Sequence, residues 1–589
     1  MMKWIHKYAH LLSLLAVLAA LAAAPYLIPE NPDSPVFRSG TLGTLLVFAC
    51  FFPVKDALTK ADRRTLTISM VLGLLFASAL SLGSELFIYD GLLPGMGSML
   101  RRIAVPFMAA PLMGGVCARL MLTPPFSSKR PVRIPFAAYM LVLLICWLPV
   151  LLAYWPGMLN YDFVGEYAQH TSGSYSSIHP LLHSVLMNGV IALGSLLHSP
   201  TLGLLLMTLL QMALFAASLA HACVFAQRRG APVWMLALLT ALFGLHPVFS
   251  VMALSMTKDT LFAAAVLTLS LETAGMIEEP AAYFADQRRI ALYVLLTVAA
   301  ALMRNNGVFA LALMLPAAVI AARGYRKRAA ALAAAAVCAS LAVLGGLHIA
   351  LTPASLPSFQ LYSLPAQQLV RAYNSGKLSD TDKAEIAQWY VSEDGLVVHP
   401  HLADPAKGYL DKPRLEEEGE QFLSIWKRHA KTCMKEYTEA LLMLNVGSWY
   451  PDDLSHSTIY PDVSWNDKGY LQTQEYDMRE EGFENTSLLP RVKHIFERIC
   501  RRNDYQEYPL ISILFCTATP LWVLLFACAM LIARKQTRRL PAALGALGLW
   551  LSYLFGPCTL PRYTLPLFCL APVLLITALT MPNRSDSES

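Results

Sequence analysis

Residues 136–166 read FAAYMLVLLICWLPVLLAYWPGMLNYDFVGE, and the fold turns on them. Phe136 to Tyr154 is an apolar run long enough, as a helix, to cross a hydrocarbon core of about 30 Å. It ends at the turn Trp155-Pro156-Gly157, and within a few residues the chain sets down two carboxylates, Asp162 and Glu166. Acidic residues at the mouth of a membrane helix are the starting point for a functional reading, because charge held at a membrane surface needs a partner.

The same pattern runs outward in both directions. Of the 589 residues, 56% are hydrophobic and only 15% charged, which excludes an ordinary soluble protein. Apolar stretches recur at about 11–28, 38–54, 65–87, 103–122, 136–154, 201–226, 231–250, 260–276, 288–303, 306–322, 328–352, 509–533, 541–556 and 562–580, with 181–197 a further one. The expectation is an all-α polytopic membrane protein of about fourteen transmembrane helices. The first stretch lacks a small-x-small cleavage site and reads as a retained helix.

The net charge of +6 matters through its placement. Basic clusters at Lys55–Arg64, Lys129–Arg133, Arg228-Arg229, Arg288-Arg289, Arg323–Arg328 and Arg534–Arg539 alternate with the spans. If all are cytoplasmic, both termini are inside the cell membrane and 181–197 lies re-entrant or along the outer surface. The loop with Asp162 and the polar stretch 353–508 are then extracytoplasmic. This leaves Arg101-Arg102 outside without a reason, and it calls for no nucleic-acid partner.

Four parts follow: a membrane segment at 1–134, a membrane core at 135–352 with its acidic loop at 155–200, a mostly helical soluble domain at 353–508, and a last membrane segment with a short tail at 509–589. In the soluble domain Ser379-Asp380-Thr381-Asp382 reads as a capping box, and Pro413–Leu444 has helical apolar spacing. Cys433 and Cys500 fall in this domain, where oxidation can pair them.

The chemistry-bearing residues sit at expected outer helix ends. Asp162 and Glu166, four apart, share a helix face and can hold a divalent cation or divide into base and partner. They equally suit a solvated helix start. His179-Pro180 opens the segment 181–197, with His183 one turn on. Lys258-Asp259 is a charge pair that must face water or a cavity. Arg304 in Arg304-Asn305-Asn306-Gly307, and Arg562-Tyr563 between Pro561 and Pro566, lie on the side that the positive-inside trend avoids. Phosphate is a natural partner for such arginines, and headgroup snorkelling is the plainer alternative. His246-Pro247 reads as a kink.

An acidic residue in an outer loop (Asp162), a surface-lying His179-Pro180 segment and an acidic residue in the next outer loop (Asp259) together resemble the GT-C class of integral-membrane glycosyltransferases, such as protein O-mannosyltransferases and the aminoarabinose transferase of lipid A. The resemblance covers roughly 135–322. The whole chain is also similar to a little-characterised group of bacterial polytopic membrane proteins with the same Trp-Pro-Gly…Asp loop, Lys-Asp pair, Arg-Asn-Asn-Gly turn and Pro-Arg-Tyr.

The resemblance implies a GT-C-like fold. It implies transfer of a sugar from a polyprenyl-phosphate donor to a surface glycan, lipid or protein, by a single inverting displacement. Asp162, Glu166 and Asp259 would be the catalytic carboxylates, with Asp162 the general base. His179, Lys258, Arg304, Arg562 and Tyr563 would bind the donor phosphate, with Mg or Mn an optional cofactor at Asp162 and Glu166. The chain departs from the class in its four preceding spans and in the insertion of its soluble domain before the last three. Two other functions fit the same residues: a transporter or flippase of lipid-linked saccharides, and a non-catalytic envelope scaffold.

Overall fold

The computed structural model of the chain describes residues 2–27, 40–126, 133–355, 358–453, 478–501 and 509–580. Most of the run Lys129–Arg133 and the tail Asn583–Ser589 lie outside the described residues.

Among the described residues, eight helices are long and apolar enough to span a membrane. They are α1 (Ala9–Leu27), α2 (Arg63–Tyr89), α3 (Met96–Met121), α4 (Phe136–Ala153), and, after the shorter α5 (Tyr161–Ser172) and α6 (Leu181–Ser195), α7 (Pro200–Arg228). Helices α8 (Val233–Leu245) and α9 (Pro247–Leu254) form a pair bent by 49°, a ninth span if taken together. Spanning helices α10 (Lys258–Glu278), α13 (Arg326–Leu351) and α20 (Pro561–Leu579) complete the eight. Between them lie α11 (Gln287–Leu302) and α12 (Gly307–Ala321). The soluble domain holds α14 (Ser363–Tyr373), α15 (Asp380–Ala387), α16 (Lys412–Ala430) and α17 (Met434–Leu444), and α18 (Thr519–Ala533) and α19 (Pro541–Tyr553) precede α20.

The protein is thus helical and membrane-embedded, and among the described residues the helices of spanning length are fewer than the fourteen apolar stretches. The stretch 38–54 breaks at Cys50 into Thr41–Ala49 and Phe51–Lys60. The second piece carries Asp56, which pairs with Lys60 and, at 2.7 Å, with Arg119. Helices α11, α12, α18 and α19 have 16, 15, 15 and 13 residues. At 1.5 Å per residue each is about 20–24 Å long, short of a full crossing. The segment 181–197 is α6, 15 residues long.

The α8–α9 bend falls at His246-Pro247, as the kink reading expects. Proline drives the residue before it into extended backbone, and His246 sits at φ −71°, ψ 125°. Its Nδ1 accepts the Val248 N–H at 3.1 Å, which caps the new helix. Past the bend, the Gln211 amide on α7 donates to the carbonyls of Met252, Ala253 and Ser255 at 3.2, 3.0 and 2.7 Å. A buried glutamine within a span thereby satisfies broken backbone instead of lining a path.

Helix α6 packs backbone to backbone on α7. A Cβ at Gly194 would come within 2.1 Å of the Gly203 nitrogen, so the crossing admits only glycine on both sides. One two-residue parallel sheet, β1 (Met158–Leu159) with β2 (Ser255–Met256), joins the loops that follow α4 and α9.

The soluble domain has its own core around Leu369, Trp389, Phe422 and Tyr437. The expected capping box at Ser379 and Asp382 is present. The helix expected over Pro413–Leu444 is two, α16 and α17, divided just before Met434. Met443, Trp449, Tyr450 and Cys500 join the large membrane core, whereas Cys433 is a free thiol in the domain core. The domain docks on the turn after α2. Arg371 reaches Asp90 at 3.0 Å, and Glu439 accepts the Leu92 N–H at 2.6 Å. That contact region accounts for half of the Arg101-Arg102 pair, since Arg102 is fixed at 2.8 Å to buried Glu85, which also accepts the Leu93 N–H.

Candidate functional site

Two helices begin side by side because the β1–β2 pairing holds their leads together. Helix α5 is capped by Asn160, whose side chain accepts the Asp162 N–H, and α10 by Thr257, whose side chain accepts the Asp259 N–H. Each carboxylate is therefore the second residue of its helix, where the positive end of the helix dipole favours an anion. Helix α10 also contributes Lys258, α20 contributes Arg562 and Tyr563, and the turn between α11 and α12 contributes Arg304.

These six side chains meet. The Lys258 ammonium lies 3.1 Å from Asp162 Oδ2. One nitrogen of Arg562, Nη1, lies 2.7 Å from Asp162 Oδ2 and 3.5 Å from Asp259 Oδ2, so a single guanidinium bridges the two carboxylates. Arg304 pairs with Asp259, whose Oδ2 also accepts from the Thr257 hydroxyl at 3.0 Å. The Tyr563 ring takes Arg304 and Arg562 at 4.4 and 4.9 Å from its centroid, and its hydroxyl accepts from Arg562 at 3.2 Å. Three cations and two carboxylates are gathered in a space sheltered from solvent, with Arg562 only 9% and Asp162 12% exposed.

Burial works to raise the Asp162 pKa, but Lys258 and Arg562 outweigh it and hold the carboxyl well below its ordinary 3.8. Asp162 is therefore ionised at all physiological pH. Its depressed pKa contributes stability that is present above the unfolded value and is lost only as pH falls through the folded one.

Glu166, one turn further along α5, faces a different group. It is fully buried, and its Oε2 accepts from His183 Nδ1 at 2.7 Å and Ser184 Oγ at 2.8 Å. Burial raises its pKa, His183 and Lys258 together lower it more, and the net shift is downward from 4.5. His179 Nδ1 stands 3.8 Å from Glu166 Oε1. Burial and Lys258 push the His179 pKa below 6.5, so the imidazole is neutral at pH 7.

The expectation that Asp162 and Glu166 jointly hold Mg or Mn does not fit this arrangement. Asp162 Oδ2 is neutralised by two cations and Glu166 Oε2 is taken by His183 and Ser184, so the two carboxylates answer to different partners. The nearby cations would also repel a divalent ion.

All eight residues singled out in the sequence lie in or beside this cluster. His183 was noted only as a neighbour of His179, and Ser184, Asn188 and Thr257 were missed. A signal existed: Ser184 and Asn188 are polar residues four apart in an apolar run, and both face Glu166, with Asn188 donating to its carbonyl at 3.1 Å.

Beside the cluster opens an apolar groove of about 810 Å³ between α12 and α13. Ser177, His179, Asn305 and His348 mark its polar end, and Val319 and Ala330 mark the other. Its α13 wall runs from Ala330 to Leu347, about 25 Å of helix. The soluble domain closes on the loop before α20, where Ala403 N–H donates to the Pro557 carbonyl at 2.8 Å and Asn445 to that of Leu554 at 2.9 Å.

A charged cluster at the junction of a membrane bundle and its soluble domain, beside an apolar groove, defines a polytopic α-helical membrane protein with a sheltered polar site. The chain belongs to a family of unknown function, DUF6020, whose model matches residues 169–589. Asp162 and Glu166 precede the matched residues, and the other six lie within them. No curated protein and no solved structure matches the chain.

Proposed function

We propose that the protein is a membrane glycosyltransferase of GT-C type, moving a sugar from a polyprenyl-phosphate donor to an extracytoplasmic acceptor. The observation that carries this reading is the junction of groove and cluster. The groove's polar end, at His179 and Asn305, lies beside Lys258, Arg304 and Arg562. A molecule that suits both at once has a long hydrocarbon chain ending in a phosphate.

The donor phosphate draws Lys258 and Arg562 to itself, where they stabilise the charge that develops on the leaving oxygen. Asp162 then loses the cations that depress its pKa and becomes a better base. It takes the proton of the acceptor hydroxyl as that oxygen bonds to the anomeric carbon and the carbon–phosphate oxygen bond breaks, with inversion. Donor binding in this scheme switches the base on. Asp259 holds Arg304, and Glu166 with His183 fixes α5. The short helices, lengthened by the residues that flank them, complete a fourteen-span topology with both termini inside, in line with the basic clusters and the positive-inside trend.

The test is transfer by purified protein in lipid, offered a panel of polyprenyl-phosphate sugars. Wild type is expected to turn over at least one donor, and Asp162→Asn to lose that transfer. Ala334→Trp, placed in the groove wall, is expected to raise KM more than about tenfold for long-chain donors. Two displaced methylenes, at about 0.8 kcal/mol each, suffice for that. Tight lipid-saccharide binding with no turnover from any donor would replace the enzyme with a transporter.

A further inference from the structure

We infer that the soluble domain carries a zinc site built from Asp382, Glu385 and His429, independent of the membrane cluster. Asp382 and Glu385 are three apart on α15 and share a face. His429 comes from the last turn of α16. One donor atom from each lies within 4.8 Å of the other two, and His429 Nε2 is 4.0 Å from Asp382 Oδ1.

The histidine is the informative member. Its side chain is only 6% exposed, and among the described residues its Nε2 has no hydrogen-bond partner. A buried ring nitrogen left unsatisfied is costly and rare, so it needs a reason. Its neighbours are arranged to supply one. Asp382 spends Oδ2 on the helix cap, taking the Ser379 hydroxyl at 2.6 Å, which leaves Oδ1 toward His429. Glu385 is held by Arg428 at 2.7 and 3.0 Å, an ion pair whose arginine is 53% exposed. That pair is bidentate but half exposed, so a metal at Glu385 competes with it in water-screened surroundings.

One imidazole nitrogen with two carboxylate oxygens suits Zn²⁺, which binds three protein ligands and keeps a fourth position for water. Magnesium and calcium prefer all-oxygen shells of six or more. Zinc–ligand bonds of about 2.0–2.2 Å require the three donors to draw in by roughly 1 Å, a motion that the partly exposed Asp382 and Glu385 side chains can supply. Ile386 is the only buried side chain of α15, so the metal would be a main tie between that helix and α16.

The experiment is calorimetric titration of Zn²⁺ into EDTA-stripped, full-length protein in lipid nanodiscs. Wild type is expected to bind one equivalent that His429→Gln and Glu385→Gln weaken more than tenfold and Glu166→Gln leaves intact. Arg428→Met, which releases Glu385, is expected to bind more tightly than wild type. Glu385→Gln alters a partly exposed side chain and keeps the fold, so it decides the matter even if the histidine variant unfolds. No saturable zinc equivalent, or equal affinity in wild type and Glu385→Gln, would overturn the site.

Discussion

Arg562→Met is expected to slow the proposed sugar transfer by about 10²–10³-fold or more, the range for removing one donor from a charge-stabilising site, and to destabilise the protein by about 3–5 kcal/mol. Both effects have the same source. Arg562 Nη1 bridges Asp162 and Asp259 at 2.7 and 3.5 Å. Without it two buried carboxylates face each other with one cation fewer, and a buried charge stripped of its partner keeps its desolvation cost. The sign of the pH effect follows. Wild type owes part of its stability to the depressed pKa of Asp162, present above the ordinary 3.8 and lost as pH falls through the folded value. The gap between wild type and variant should therefore be widest near neutrality and narrow in strong acid. Arg562→Lys restores the charge but not the second guanidinium nitrogen that reaches the Tyr563 hydroxyl at 3.2 Å, so it should recover much of the stability and little of the rate. Thermal unfolding and donor turnover in lipid measure the two effects separately, and a wild-type turnover rate for Arg562→Met would remove this residue from the chemistry.

The second large effect is at Glu166. Replacing it by alanine is expected to cost about 3–5 kcal/mol, because it removes a fully buried acceptor from two buried donors, each of which costs about 1–3 kcal/mol when left unsatisfied. His183 and Ser184 then lose their acceptor inside the bundle. Glu166→Gln keeps the volume and one acceptor oxygen and should cost less, about 1–3 kcal/mol. Glu166 makes its bonds to α6 and none to the Lys258–Arg562 group, so it acts by positioning α5. Hydrogen exchange across residues 161–172 reads this directly: protection should fall in Glu166→Ala and largely return in Glu166→Gln. Unchanged protection in the alanine variant would mean that α5 is held by other contacts.

Much of this was legible in the residues. Asp162, Lys258, Asp259, Arg304 and Arg562 stood out because charge beside an apolar span is costly and needs a partner. The kink at His246-Pro247 and the cap at Ser379 were legible because both are local devices, decided by proline sterics and by one side chain reaching its own backbone. The number of helices of spanning length was not legible in the same way. Apolar length reports solubility in lipid, whereas Cys50 and the turn after Phe515 divide apolar runs that composition treats as continuous.

The sequence by itself determined that the chain is a helical membrane protein, which side chains carry its charge, and that they sit at helix ends. Hydropathy and end signals are properties of contiguous residues, so they survive being read one segment at a time. Only the tertiary structure decided who partners whom. Arg562 and Asp162 are 400 residues apart. They meet because the β1–β2 pairing aligns two helix starts and α20 packs against α10, and no local pattern encodes that. The same holds for Glu166, which shares a helix face with Asp162 yet answers to His183, and for the pairing of α15 with α16 around His429. A charge's chemistry follows from its neighbours, and in this bundle the neighbours come from distant segments.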